Sequence, residues 1–365
     1  MTFLDFGDMA LAGAFLKDVS SEKKYPLALK FDPESYAVEI VEPIDPAMLF
    51  GNYFYHASSS KTARDHFAKY ARQVYERFEP ESVIEIGCND GVFLRPMSEL
   101  TKAVGVDPSS VSKLVEDLTV VHDYFESAYQ YLDPADLIVA NNVFAHAEIN
   151  KLTECVRACL KEHGVFVLET HYLGRVLEGQ FDVIYHEHRH YHSVISLAKH
   201  FQKHGMKVFD VQENQMHGGS IRVFVCKDDR ETSRAVQIRL ARELWRGFAK
   251  PETYLRFADS VQSHILKLSS LINKLQDKGY SVSGYGASGR ANTLLQACNI
   301  KLDFIVDDCE AKHGYLTPGT HIPIVASGES DYVLLTAWTY MNEILPKIKG
   351  NVIIPFQEIE VRRAA

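Results

Sequence analysis

Between residues 61 and 230, short apolar runs alternate with stretches of helical period, the pattern of a parallel α/β sheet. The runs 82–86, 103–106, 118–121, 137–140, 165–169, 207–212 and 220–227 read as strands. Residues 231–278 lose that signal. Leu240, Leu244 and Phe248, then Ile265, Leu268, Leu271, Ile272 and Leu275, recur at helical spacing and predict two helices broken near Pro251. Residues 279–365 return to strand, loop and helix, with a strand at 282–285 and a helix at 290–298. Residues 1–60 carry Pro26, Pro33, Pro43 and Pro46, which exclude a long helix, and the run YAVEIVE reads as a strand. The expected organisation is a small N-terminal domain (1–60), an α/β domain (61–230), a helical arm (231–278) and a second α/β domain (279–365).

Two of these strands open into glycine-punctuated loops followed by helices. After 82–86 come Gly87-Cys88-Asn89-Asp90-Gly91, with Glu85 two residues before the first glycine. Small residues at such a turn let a ligand approach the backbone, and the following helix offers unpaired N–H groups. The Gly-x-x-x-Gly spacing is not the dinucleotide fingerprint. A glycine pair by itself reads as a tight turn. Here, however, four successive strand tips carry Glu85/Gly87, Asp107, Asp123 and Asn141. Asp107 is placed to accept from both ribose hydroxyls and Asp123 to meet an adenine amine. A nucleoside cofactor follows, with Glu85, Gly87, Asn89, Gly91, Asp107, Asp123 and Asn141 as its candidate ligands. The ExGxxxG form resembles class I S-adenosylmethionine (SAM) methyltransferases. That resemblance implies a Rossmann-like sheet over roughly 75–230, closed by strands 207–212 and 220–227 as an antiparallel hairpin.

Residues 181–192, FDVIYHEHRHYH, offer a carboxylate, a phenol and four imidazoles within eight residues, beside the ligand-binding edge of the sheet. Three readings compete. Alternate histidines suit a metal, but the helical H-E-x-x-H spacing is absent and no cysteine cluster lies nearby. His190 and His192 alone fit a solvated loop. Tyr185, Glu187 and His188 suit proton transfer.

Tyr185-His186-Glu187-His188, together with Met216-His217-Gly218-Gly219-Ser220-Ile221-Arg222, resembles the YHEH and HGGS(L/I)R motifs of deoxysugar C-methyltransferases, which act on nucleotide-linked 4-keto sugars. The segment 49–58, LFGNYFYHAS, is similar to that family's aromatic segment. Gly284-Tyr285-Gly286-Ala287, Asn292-Thr293-Leu294-Leu295, Val306-Asp307, Lys312 and Pro318-Gly319-Thr320 are similar to its C-terminal domain. The resemblance spans nearly the whole chain. It implies a class I methyltransferase domain, a second Rossmann-like domain and a small N-terminal domain on the substrate side. It also implies SAM as cofactor and a nucleotide sugar as substrate. Glu187 and His188 become candidate bases for a carbon-bound proton. Tyr185 or His146 becomes the donor to the enolate oxygen. Tyr53, Tyr55, His217, Gly218, Tyr285, Gly286, Arg290, Asn292 and Lys312 become candidate substrate contacts. The 286–289 loop with Arg290 reads either as a diphosphate cradle or as a packing turn; the resemblance favours the cradle.

Three departures stand out. The family commonly opens with a cysteine-built zinc domain, but no cysteine precedes Cys88, so no structural zinc is expected. His190 and His192 occupy positions that the family usually fills with other residues. Ser288-Gly289-Arg290 replaces a Pro-small-Lys run, which changes the geometry of any phosphate contact.

Composition narrows the partners. The 365 residues carry a formal net charge of −9, against a general nucleic-acid binder. No apolar run approaches the roughly 18 residues of a spanning helix, so no membrane partner is expected. Asp5 and Asp8 stand where an export signal would carry basic residues. Six scattered cysteines form no disulfide framework, so a cytoplasmic setting is expected. Two rival readings stay open. An O- or N-methyltransferase of this architecture would need no carbon-acid base. A non-catalytic binding protein would have no need of the complete YHEH and HGGS motifs.

Overall fold

The structure is a computed structural model that describes residues 1–45, 48–49, 56–356 and 358–363. Its strands are β1 (Thr2–Ala10), β2 (Lys24–Phe31), β3 (Val38–Ile40), β4 (Ser82–Ile86), β5 (Lys102–Val106), β6 (Val120–Val121), β7 (Ala135–Asn141), β8 (Leu160–His171), β9 (His190–Tyr191), β10 (Lys207–Asn214), β11 (Ser220–Cys226), β12 (Val282–Tyr285), β13 (Ile305–Val306), β14 (Ile324–Val325), β15 (Tyr332–Leu334), β16 (Asn351–Ile354) and β17 (Glu360–Arg363). The helices that matter below are α1 (Lys61–Phe78), α2 (Val194–Lys203), α3 (Arg234–Trp245), α4 (Pro251–Asp277) and α5 (Gly289–Ala297).

The central sheet has the order β10-β11-β8-β7-β4-β5-β6. Its β4, β5, β6, β7 and β8 pair in parallel, and β11 runs antiparallel to both β8 and β10. This is the Rossmann-like sheet with its closing hairpin that the sequence predicts. Alternate strand residues point to opposite faces. Val83, Leu137 and Val139 pack under Phe67, Tyr70 and Val74 of α1, while Ile84, Ile138 and Ala140 join the larger core on the other face. The chain leaves β4 outward through β5 and β6, then returns on the far side as β7. Such a reversal opens a ligand crevice at the C-terminal ends of β4 and β7.

The second sheet, β14-β13-β12-β15-β16-β17, is parallel except for β17. It reverses in the same way around β12. Helices α3 and α4 form the arm between the sheets, and the break falls at Pro251 as expected. Within the arm, Tyr254 stacks on Phe31 with ring centroids 4.2 Å apart and meets Phe3 at 5.2 Å, so α4 backs the N-terminal sheet.

That N-terminal sheet departs most from expectation. It is antiparallel, β1-β2-β3-β9, and its fourth strand is His190–Tyr191. Residues just beyond the YHEH motif therefore stitch the first 45 residues to the central unit. The β1–β2 connection runs on into the second unit: Gln296 holds the Ala10 amide at 2.8 Å, and Asn292 donates to the Ala12 carbonyl at 2.6 Å.

A buried carboxylate helps fix the arm to the central unit. Glu243 of α3 accepts the Val194 and Ile195 amides, at 3.0 and 2.8 Å, at the start of α2. Removing it leaves two buried donors unpaired, each worth about 1–3 kcal/mol. Glu243→Ala is expected to destabilise the protein by about 2–4 kcal/mol, read as a lower urea midpoint. Among the described residues no helix is long and apolar enough to cross a membrane.

Candidate active site

Two backbones make the crevice at β4. Gly87 has φ +70°, and a Cβ there would stand 2.3 Å from Val143 Cγ2, so the loop closes tightly only with glycine. Asp107, at the tip of β5, braces this loop. Its carboxylate accepts the Asn89 amide at 2.8 Å and the Ser109 amide at 2.7 Å. Asn141, at the tip of β7, donates to Glu85 at 3.1 Å. Burial, with Asp107 and Asp90 nearby, pushes the Glu85 carboxyl up to about 8. Gly91 turns the loop toward its helix with φ +78°. Asp123 lies exposed beyond β6 and accepts the Tyr124 amide at 2.7 Å. The chain entering α1 is tied to the same loop, Ala57 N to Asn89 at 3.0 Å and Ser58 Oγ to Asp90 at 2.7 Å. Tyr53 and Tyr55 lie outside the described residues.

Around this crevice, Glu85 Oε2, Asp90 Oδ1, Ser109 Oγ, Asn141 Oδ1 and Asn142 Oδ1 are buried with no partner among the described residues. Buried polar atoms are nearly always paired. All five can accept hydrogen bonds, so they suit a ligand rich in donors and positive charge, such as the ammonium, ribose hydroxyls and adenine amine of SAM.

A cluster of aromatic and imidazole rings lies at the C-terminal end of β8. His188 stands 4.1 Å from the Tyr185 ring, 5.0 Å from His146 and 4.9 Å from His171, centroid to centroid. His171 in turn stands 5.5 Å from His217. His188 Nδ1 lies 2.7 Å from the Val183 carbonyl, which can only accept. Nδ1 is therefore protonated, and Nε2 carries the basic lone pair. Burial holds His188 and His171 well below the usual imidazole range, lowers His146, and brings His217 down to about 4. All four rings are neutral near pH 7. His146 donates from Nδ1 to the Glu187 carbonyl.

Glu187 is 6% exposed. Its Oε1 accepts the Gly13 amide at 3.1 Å, while its Oε2 is buried with no partner among the described residues. Burial pushes this carboxyl up to about 7. Such a group favours the folded state while protonated, so its contribution is complete below the unfolded value near 4.5 and is lost as pH rises through 7. Glu187→Gln removes that dependence. The variant is expected to gain about 2–3 kcal/mol over the wild type at pH 8 and little at pH 5, checked by urea titration at both.

The other motif residues divide by role. His186 Nε2 meets the Tyr25 carbonyl at 3.1 Å and docks the segment on β2. His190 lies 3.4 Å from Glu39 across the β3–β9 pair, and that contact helps hold Glu39 at about 2. His192 is buried against the Phe144 carbonyl at 3.4 Å. Arg222 of the HGGSIR run turns inward onto Glu169, which also takes His66 at 2.7 Å and Asn214 at 2.9 Å. His217, φ +54°, and Gly218 form the β10–β11 turn, where Gln180 Nε2 donates to the Gly218 carbonyl at 2.8 Å. His171 was not among the sequence candidates. It closes β8 two residues beyond the predicted strand end, and its position at a C-terminal tip is the signal that marks it.

The second unit repeats the first loop's wiring. Asp307, at the tip of β13, accepts the Ala287 amide at 2.7 Å and the Cys309 amide at 2.8 Å, as Asp107 accepts Asn89 and Ser109. Gly286 has φ +97°, and a Cβ there would stand 2.3 Å from Ala337 Cβ. Tyr285 donates to Asp308 at 2.8 Å. Arg290, expected to face a diphosphate, and Lys312, a candidate substrate contact, are both turned onto protein. Lys312 donates to the Ala287 carbonyl at 2.7 Å, and Arg290 pairs with Asp182 through two bonds of 2.8 and 2.7 Å. Asn292 is fully buried on the Ala12 carbonyl.

Residues 59–211 match the family model described as a methyltransferase domain, and residues 215–354 match that of a C-methyltransferase C-terminal domain. The chain is 32% identical over 391 aligned residues to the C-methyltransferase NovU of Streptomyces niveus, covering 98% of this chain and 93% of that protein. Among solved structures it is similar to the magnesium protoporphyrin IX methyltransferase of Synechocystis PCC 6803, at 10% identity and a TM-score of 0.37, over 48% of this chain and 90% of that one. It is also similar to the sugar N-methyltransferase KedS8 from Streptoalloteichus sp ATCC 53650, at 18% identity and a TM-score of 0.27, over 30% and 49% of the two chains.

Proposed function

This chain belongs to the SAM-dependent C-methyltransferases, and we propose that it methylates a ring carbon beside the ketone of a nucleotide-activated keto-deoxysugar. Its methyl donor is SAM, whose sulfonium supplies the activated methyl group. The observation that carries the reading is His188: a neutral imidazole, fixed by Val183 with Nε2 as its basic nitrogen and packed at a tilt against the Tyr185 and His146 rings.

A carbon beside a ketone becomes nucleophilic once its proton leaves and the enolate oxygen is stabilised. His188 Nε2 takes that proton. The Tyr185 hydroxyl donates to the oxygen as charge gathers on it, whereas neutral His146 spends its one N–H on the Glu187 carbonyl. The enolate's electron pair forms the new carbon–carbon bond, the sulfur–methyl bond breaks toward sulfur, and S-adenosylhomocysteine is left. His188, now an imidazolium disfavoured by burial, releases its proton to water. Glu187 holds the β1–β2 connection over the site through Gly13. The loop at Gly286, wired like the cofactor loop around Asp307, supports a nucleotide-binding role for the second unit. All six cysteines are free, which fits a reduced cytoplasmic setting.

The test combines two measurements. The protein is incubated with trideuteromethyl-SAM and nucleoside-diphosphate 4-keto-6-deoxysugars bearing thymine, guanine, cytosine or uracil. Mass spectrometry reads the transfer, and carbon NMR locates the methyl. In parallel, each sugar is held in deuterium oxide with S-adenosylhomocysteine. Enzyme-dependent deuterium uptake beside the carbonyl and a new C–CD3 group are expected. A methyl on oxygen or nitrogen, with no such uptake, would replace this reading by that of an O- or N-methyltransferase.

A further inference from the structure

We propose that the buried Asp182–Arg290 pair is a positioning clamp for His188, through which the C-terminal unit sets the tautomer of the base. The proposal rests on the reading of His188 as that base.

Arg290 lies in the first turn of α5 in the C-terminal unit, and Asp182 lies in the 3₁₀ turn Phe181–Val183 ahead of the YHEH motif. Asp182 is fully buried, and it takes both Arg290 Nε and Nη2, at 2.8 and 2.7 Å, in a fork geometry that lysine cannot reproduce. Trp338 Nε1 adds a third bond to the same carboxylate at 2.8 Å, and the guanidinium carbon lies 4.9 Å from the Trp338 ring centroid. The next residue, Val183, supplies the carbonyl that receives His188 Nδ1–H. The clamp thus holds the one-turn element that keeps the His188 lone pair on Nε2.

The same guanidinium reaches two more parts of the site. Arg290 Nη1 donates to the carbonyl of His217, whose left-handed backbone makes the turn that carries its ring toward His171. Gly289, the neighbour of Arg290, lies against Tyr185: a Cβ there would stand 3.4 Å from Tyr185 Cζ. One side chain of the C-terminal unit therefore fixes Asp182, the His217 turn and, through its neighbour, the Tyr185 ring. These contacts leave the charge of Arg290 committed to protein, which separates this role from diphosphate binding.

The test uses Arg290→Lys, Asp182→Asn and the double variant Asp182→Asn/Arg290→Gln, which removes both charges and leaves no unpaired buried ion. Long-range proton–nitrogen NMR of 15N-histidine-labelled protein reads the His188 tautomer without substrate; His188→Asn assigns the signal. The wild type is expected to show a single Nδ1–H tautomer. The double variant is expected to be folded, to show mixed tautomers and to lose kcat about 10–100-fold with an unchanged KM for SAM, as for other misplaced catalytic groups. Arg290→Lys, with a single contact, falls between. An unchanged tautomer in the folded double variant overturns the clamp. So does a loss confined to nucleoside-diphosphate affinity, which would return Arg290 to the diphosphate. Because the NMR signal needs no methyl transfer, a changed tautomer with no keto-sugar turnover would sink the proposed activity and leave the clamp standing.

Discussion

Asparagine at position 188 is expected to lower kcat by about 10²–10⁴-fold, the usual contribution of a positioned general base, with S-adenosylhomocysteine affinity unchanged. Asparagine retains an N–H for the Val183 carbonyl but offers no basic nitrogen. The packing of the 181–188 segment should therefore survive while the proton transfer does not. The environment makes the choice of base informative. Burial disfavours the imidazolium, so His188 alone would be a reluctant acceptor. A developing enolate a few ångströms away changes the balance, because opposite charges attract strongly where water is excluded. The ring is then easily protonated only while the enolate exists, and the proton returns to water after transfer.

Glu187 is the competing base, and the two variants separate the roles. If Glu187 abstracts the proton, Glu187→Gln removes deuterium exchange beside the carbonyl and His188→Asn does not. If His188 does, the pattern reverses, and Glu187→Gln chiefly alters the pH dependence through its carboxyl near 7. Exchange in deuterium oxide with S-adenosylhomocysteine bound reads proton removal apart from methyl transfer. Exchange by His188→Asn near the wild-type rate would move the base to Glu187.

The parts of this site that were legible in the sequence share a cause. The tips of β4, β5 and β7 follow short buried runs, and the residues after such runs are held at the crevice by backbone geometry alone. Glu85, Gly87, Asp107 and Asn141 could be placed by counting. His171 escaped because β8 runs three residues past its last apolar position, Leu168, held by pairing with Ser220 on β11 rather than by any local signal. The N-terminal sheet was hidden for a different reason. Pro26 lies inside β2, where it faces Asp8 of β1 beyond the reach of β3, whose partners begin at Leu29. A proline without an N–H is tolerated there, although proline is rare inside strands. The pairing of Arg290 was not legible because its partner Asp182 is 108 residues away. Only the packing of two units on one another brings that cation onto a fully buried carboxylate.

Alanine at position 107 is expected to raise the dissociation constant of S-adenosylhomocysteine by about 10²–10⁴-fold. Hydrogen bonds to a charged group contribute about 1.5–3 kcal/mol each, we propose that Asp107 takes two ribose hydroxyls, and each 1.4 kcal/mol is tenfold. Asp107 also braces the loop, since its two oxygens accept the Asn89 and Ser109 amides. Two effects must therefore be separated. Asp107→Asn keeps the shape and one acceptor, but turns an amide NH2 toward a donor, so it should fall between alanine and the wild type. Asp307→Asn is the matched control. It breaks the equivalent bracing of the second loop at Ala287 and Cys309, so it should destabilise the C-terminal unit and leave S-adenosylhomocysteine affinity unchanged. Asp123, exposed and bonded among the described residues only to the Tyr124 amide, should matter far less than Asp107. Calorimetry on the three variants, with urea melts to confirm folding, makes the comparison. A folded Asp107→Ala that binds S-adenosylhomocysteine as the wild type does would mean that the ribose is not held at the tip of β5. The orphaned acceptors around Glu85 and Asn141 would then need another ligand.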